Sequence, residues 1–303
     1  RLYAHTGTLV LARDGLDWAE ASLSDMAELG IHTERLNQTQ LMERAPMLCA
    51  DGIELAAWID SGGVLLADQI VIALARHLLS QGVTMRTHSR VHAIEPDRST
   101  VVLEDGERVR ADATVISAGP WVRRLFGGLK KRITPSRQLV VYLKPPPRHQ
   151  AAWCQAPMIL DMHGTGGVYL VPPVEGTGLK LGGHDFTLRG SPDSDRTAQP
   201  DECEALLQAC SGRLTDLRAY QIEQGKICFY TVEPDERFIV EYTNKVLLMT
   251  GFSGHGFKFG ALMGRLAAGV INQAVDPGAI QRLAAGAIDN EIEIERLTRT
   301  CLA

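Results

Sequence analysis

Apolar residues recur along this chain with two periods, and the switches between them mark its elements. Residues 8–11 form a short apolar strand, and residues 16–29 an amphipathic helix closed by Gly30. Residues 54–59 read as a second strand, followed by Ser61-Gly62-Gly63. Ala67–Ser80 is a helix with Ile70, Leu74, His77 and Leu78 on one face, ended by Gly82. Residues 84–95 alternate and predict a strand. Residues 101–103 and 108–110 flank Asp105-Gly106, a hairpin signal. A buried strand over 112–117 ends in Ala118-Gly119-Pro120-Trp121, with a short helix behind it. Strands then dominate, over 138–143, 158–160, 168–171, 179–182 and 220–230, interrupted by one helix at 201–210 and by Pro145-Pro146-Pro147 and Pro172-Pro173. The chain returns to an apolar strand at Val246–Thr250, then a glycine-rich turn and a helix running to about residue 274.

That last turn carries chemistry. Gly251, Gly254 and Gly256 let backbone approach a ligand closely, and a strand feeding a helix N-terminus aims free N–H groups at an anion. Lys258 adds a cation where it opposes the helix dipole, as a negative guest would require. The order GxxGxG differs from the dinucleotide pattern GxGxxG, which occurs nowhere in the chain. On these residues alone, an anion-binding turn and a flexible helix start with a solvated lysine both stand. Lys180, between Leu179 and Leu181, is an exposed lysine on an alternating strand, or one that must be paired or partly neutral if it points inward.

Composition narrows the function classes. A chain of 303 residues is long enough for two domains, and 45% hydrophobic content with a mean hydropathy of -0.04 describes an ordinary globular protein. A net charge of -5 argues against nucleic acid as partner, and no apolar run reaches the length of a membrane span. The six cysteines (49, 154, 203, 210, 228 and 301) show no CxxC pair and no metal-ligand spacing, a reduced cytoplasmic usage. All but Cys228 read as small buried hydrophobes.

CFYTVEPDERFIVE followed by GFSGHGFKFG closely resembles the C-terminal signature of the monomeric sarcosine oxidase and N-methyl-tryptophan oxidase family, within the broader D-amino-acid-oxidase-like FAD oxidoreductases. GTGLKLGGHDF resembles a further element of that family, and TPSRQLVVYL its substrate-domain opening strand. The resemblance implies a mixed α/β fold: a partial FAD-binding, Rossmann-like domain over residues 1–133 and 245–303, with an inserted mixed-sheet substrate domain over 134–244. It implies FAD attached through Cys228, with further cofactor contacts at Val91, Ala118, Gly119, Trp121, Gly254, Gly256, Phe257 and Lys258. Lys180, His184, His255, Tyr230 and Lys258 then fall to the catalytic site. In each case a plainer role stands beside this one: a hydrogen-bonded structural histidine for His184, a core aromatic for Tyr230 and Trp121. Tyr169 reads first as core. Residues 1–15 resemble an internal family stretch, so the chain is expected to lack the family's N-terminal GxGxxG unit.

The activity implied is oxidation of a secondary amino acid, N-methyl or cyclic, to an imine. Dioxygen is the implied second substrate, giving hydrogen peroxide, in a protein expected to be monomeric when intact. Two alternatives remain open: a dehydrogenase of the same fold using another electron acceptor, and a non-catalytic binding module.

Overall fold

A computed structural model describes residues 1–14, 16–163, 166–288 and 297. The chain is a mixed α/β structure of two compact units: Arg1–Ala75, Gln138–Phe186 and Arg196–Cys228 form the first, and Arg76–Arg137, Thr187–Asp195 and Phe229–Ala303 the second.

The first unit is built on an eight-stranded mixed sheet. Its strand order is Gln221–Val232, Thr134–Lys144, Leu179–Gly183, Gly166–Val171, Met158–His163, Thr8–Ala12, Leu55–Ile59, Thr33–Arg35. Thr8–Ala12 lies parallel to Met158–Met162 and antiparallel to Leu55–Ile59. Alternation along the strands gives the sheet two unlike faces. Leu9, Leu11, Val141, Leu143, Ile159, Leu170 and Leu181 point into a core completed by Trp153, Leu41, Met47 and Leu207. Each such aliphatic side chain, fully buried, stabilises the fold by roughly 1.5–3 kcal/mol. The alternate residues Tyr142, Tyr169, Val171 and Lys180 are only half-buried. Charge enters the core side as an ion cluster: Asp161 is 1% exposed and is held by Arg13, Nε 3.0 Å from Oδ1, and by the buried Arg213.

The second unit carries two three-stranded sheets. Val91–Glu95, Thr100–Leu103 and Arg108–Arg110 form one, with the Asp105-Gly106 turn where the sequence places it and Gly106 at φ +89°. The other is Ile239–Thr243, Val246–Thr250 and Thr114–Ile116, the last pair parallel. Val246–Thr250 is buried throughout, as its apolar run predicts. The Gly256–Ile271 helix packs Met263, Leu266, Ala267 and Val270 against this sheet and against Ala279 and Ile280 of the Pro277–Ala284 helix.

Residues 1–75 group with the large sheet, because the partner of Thr8–Ala12 lies some 150 positions downstream, at Met158–Met162. Residues 229–244 group with the second unit, as do 134–137 and 187–195. Several expectations need correction. The strand expected over 84–95 begins only at Val91. The Ala67–Ser80 helix has the predicted bounds but buries none of its residues. Cys203 and Cys210 are buried as expected, whereas Cys154 is exposed and Cys49 half-buried. Cys301 and positions 289–296 and 298–303 of the expected C-terminal segment lie outside the described residues.

Candidate active site

In the first unit the chemistry gathers on the half-buried face of the large sheet. Tyr142 and Lys180 are register partners, so their side chains share that face, as does Tyr169, whose partner is Gly182. Lys226 Nζ stands 4.9 Å from the Tyr142 ring centroid, which brings the Gln221–Val232 strand to the same face, and Cys228 follows Lys226 by two residues. Burial lowers the pKa of Lys180, while Cys228 and Asp68 act in the opposite sense. Burial likewise raises the Cys228 thiol, and the Lys180 cation pulls it back down. A cavity of about 300 Å³ opens at Lys180, bounded by Asp68, Gln69, Tyr142, Val171 and Thr177. His184 follows the Leu179–Gly183 strand, donates its backbone N–H to the Gly167 carbonyl at 2.9 Å, and meets the Tyr169 ring edge-on.

In the second unit two cavities share Ser117, at the end of the Thr114–Ile116 strand. The larger, about 910 Å³, is lined by Tyr230, Gly254, Gly256, Phe257 and the small residues of the C-terminal helix, Gly260, Gly264, Ala267 and Ala268. The glycine turn at its mouth is tightly pinned. Ser253 N–H donates to Thr231 O at 3.0 Å, and Ser253 Oγ accepts from Glu233 N–H at 3.0 Å. Gly251, Ser253 and Gly254 all have positive φ, and a Cβ at Gly254 would lie 2.6 Å from the Tyr230 ring. His255 is the helix N-cap, yet no side chain caps the first turn, which leaves its N–H groups open to an acceptor. His255 Nε2 instead pairs with Glu236 at 2.8 Å. Lys258 is exposed, with Nζ 5.7 Å from the Phe259 ring centroid, and the cavity lining passes from Phe257 to Gly260 without it. The second cavity, about 660 Å³, is lined by Val91, Ala118, Gly119 and Trp121 together with Arg90, Arg124 and Asp193. Asp193 accepts from the Trp121 indole N–H at 2.9 Å and pairs with Arg124.

The sequence-predicted residues therefore fall into three sets, Lys180, Cys228 and His184; Tyr230, Gly254, Gly256 and Phe257; Val91, Ala118, Gly119 and Trp121; His255 and Lys258 stand on the glycine turn and helix start outside the cavity lining. Sequence reasoning missed Ser117, Gly182 and Asp193, and left Tyr169 in the core. Only Gly182, a glycine inside an apolar strand, offered a signal of close approach.

The chain belongs to the family described as FAD dependent oxidoreductase (DAO), which it matches over residues 2–270. It is 27% identical to a monomeric sarcosine oxidase of Bacillus sp. (strain NS-129), spanning 100% of this chain and 77% of that protein. It is 30% identical to the peroxisomal sarcosine oxidase of Mus musculus over 88% of this chain and 71% of that one. Its fold is similar to that of glycine oxidase from Geobacillus kaustophilus, with a TM-score of 0.74, 21% identity, and coverage of 90% of this chain and 72% of that chain.

FAD fits the residues present. The helix behind the glycine turn has no side-chain cap at its N-terminus, and the two cavities that share Ser117 are of a size for a large planar ligand. Among the described residues no cluster of His, Cys, Asp and Glu could hold a metal ion, and no helix is long and apolar enough to cross a membrane.

Proposed function

We propose that this protein oxidises the C–N bond of a secondary amino acid, N-methyl or cyclic, to an imine, with FAD held covalently through Cys228 and dioxygen as electron acceptor. The observation that carries this reading is the pairing of family membership with a half-buried lysine and a half-buried cysteine on one sheet face. Bound FAD would supply the two-electron chemistry, taking hydride equivalents from the carbon beside nitrogen and passing them to dioxygen to give hydrogen peroxide. The protein's own groups bind and polarise. Cys228 would anchor the cofactor as a thioether. Val91, Ala118, Gly119 and Trp121 would hold its adenosine end. Gly254, Gly256 and Phe257, with the N–H groups of the helix start, would face its ring and take negative charge. Lys258 and His255 would receive the substrate carboxylate at the edge of that turn, and Tyr230 would pack beside it. Lys180 would place a cation where superoxide charge develops, and His184 would border the same face. The product imine then hydrolyses in water. Activity as a monomer and a cytoplasmic location accompany this reading.

The test is direct. Holoprotein precipitated with acid should keep its yellow colour in the pellet, and Cys228→Ala should release it to the supernatant. Incubation with sarcosine, N-methyl-tryptophan and pipecolate should consume dioxygen and yield peroxide with at least one. Substrate-dependent bleaching without oxygen uptake would instead identify a dehydrogenase. Colour lost from wild-type protein on denaturation would remove the covalent link.

A further inference from the structure

A closely fitted contact on the half-buried face involves two residues that the reading above does not employ. Gly182 has no side chain, and the Tyr169 ring occupies that space: a Cβ built at Gly182 would sit 2.3 Å from the Tyr169 Cζ and 2.4 Å from its hydroxyl oxygen. Tyr169 and Gly182 are register partners on adjacent strands, so the ring lies across the strand that carries Lys180 and Gly182 at successive same-face positions, with His184 just past its end. The Lys180 ammonium stands 5.7 Å from the ring centroid. On the other side the His184 ring meets it at 6.2 Å and 84°. The phenol is therefore bounded below by glycine backbone, by a cation on one side and by an imidazole on the other.

We infer that Tyr169 is the positioning residue for Lys180: seated on Gly182, its ring face receives the Lys180 ammonium and keeps it cationic and fixed on the open face of the sheet. This rests on the reading of Lys180 given above. The physical reason is that an ammonium withdrawn from water needs compensation, and an aromatic face supplies it without neutralising the charge. A carboxylate partner would hold the lysine more strongly but would cancel the field that the site needs. Several groups face Lys180. Asp68 comes from the helix beside it, Cys228 from the Gln221–Val232 strand, Tyr142 from the adjoining strand with Lys226 beyond it, and Tyr169 from the strand on the other side. Burial outweighs the two acidic groups, since the net shift of Lys180 is downward. Removing the ring should lower it further, because only the charged form gains from the aromatic face.

Competitive acetylation of Lys180 followed across pH by mass spectrometry tests this without any catalytic readout, since only the neutral amine reacts. Tyr169→Phe, which keeps the ring, should label as wild type does. Tyr169→Leu should label roughly three- to tenfold faster below the wild-type midpoint, the span expected for loss of a partly desolvated cation–π contact. Gly182→Ala, which evicts the ring while leaving it in the chain, should shift in the same direction. An unchanged profile in both Tyr169→Leu and Gly182→Ala would overturn the inference, as would a Tyr169→Phe profile that moves as far as Tyr169→Leu. Failure of the broader reading looks different: Lys180→Met would then leave reoxidation of the flavin by dioxygen untouched, whatever the labelling profiles show.

Discussion

At the scale of single residues, Lys180 concentrates both the cost and the use of a buried charge. Its pKa is depressed chiefly by burial. Below the folded-state value the lysine is charged in both folded and unfolded chains, and desolvation works against the fold. As pH rises from that value toward the ordinary one near 10.5, the folded chain sheds the proton first and the cost fades. Lys180→Met, close in volume, is thus expected to raise the melting temperature at pH 7, with the gain shrinking as the pH approaches 10. Calorimetry at the two pH values checks this, and a variant less stable at both would mean that the ammonium is fully compensated in place. The same variant should slow flavin reoxidation by dioxygen about 10²–10³-fold while affecting reduction by substrate much less, measured by stopped flow. A position that costs stability and lies in the proposed site is the pattern expected of a functional charge.

Gly254 sets a second residue-scale limit. Its φ of +83° and its approach to the Tyr230 ring both exclude a side chain. Gly254→Ala should destabilise the protein by at least about 1 kcal/mol from backbone strain alone, and more from displacement of the ring. Denaturant titration gives the first quantity, and the change in tyrosine environment at position 230 reports the second. If Gly254→Ala is neutral in both, the turn is looser than its pinned hydrogen bonds indicate. The GxxGxG spacing marked Gly254 as a backbone turn in the sequence, and left open whether it served a ligand or only the helix start. The role of Gly182 was not, because a glycine between Leu181 and Gly183 looks like a weak spot in a strand until its cross-strand partner is known.

At the scale of elements, helices and strands with clear periods were legible, and strand partners were not. Ala67–Ser80, Val246–Thr250 and the Asp105-Gly106 hairpin emerge as read. Missed elements had quieter signals. Gln38–Arg44 is a helix of seven residues, started by a reciprocal capping box between Asn37 and Gln40. Pro277–Ala284 opens on an Asp276 cap with proline in its first turn. The Thr8–Ala12 strand was seen, but its parallel pairing with Met158–Met162 joins distant segments, and nothing local encodes a register of that kind. A buried ion cluster sits at the end of that pairing. Arg13, just past one strand, reaches Asp161 on the other, and Arg213 closes on the same carboxylate. Removing the carboxylate alone strands two partly buried guanidinium groups. Asp161→Ala is accordingly expected to cost about 3–5 kcal/mol in urea titration. A triple replacement of Arg13, Asp161 and Arg213 by apolar residues should recover much of that loss. Should Asp161→Ala cost under about 1 kcal/mol, register is held by the aliphatic core and the cluster is incidental.

For the whole molecule, the Ala67–Ser80 helix poses the sharpest question, because its periodicity and its burial disagree. The sequence places its apolar residues in helical register, which normally marks a core-facing stripe. In the structure Val71, Ile72, Leu74 and Leu79 are 50–55% exposed, and Val83 and Met85 just beyond the helix are 45% and 47% exposed. Periodicity reports which residues share a face; it carries no information on what covers that face. A run of aliphatic side chains in water favours any contact that removes it from solvent, at roughly 25 cal/mol per Å². The 303-residue chain on its own should therefore associate as its concentration rises, and salts that strengthen apolar burial, such as sulfate, should promote this. Leu74→Lys combined with Leu79→Glu should suppress the association in light scattering or sedimentation. The pair should leave the unfolding midpoint nearly unchanged, since both positions already face solvent. If the double variant associates as the parent does, the adhesive surface lies elsewhere. If it loses stability by more than about 1 kcal/mol, the stripe is buried in solution and the helix is packed against something within the folded chain.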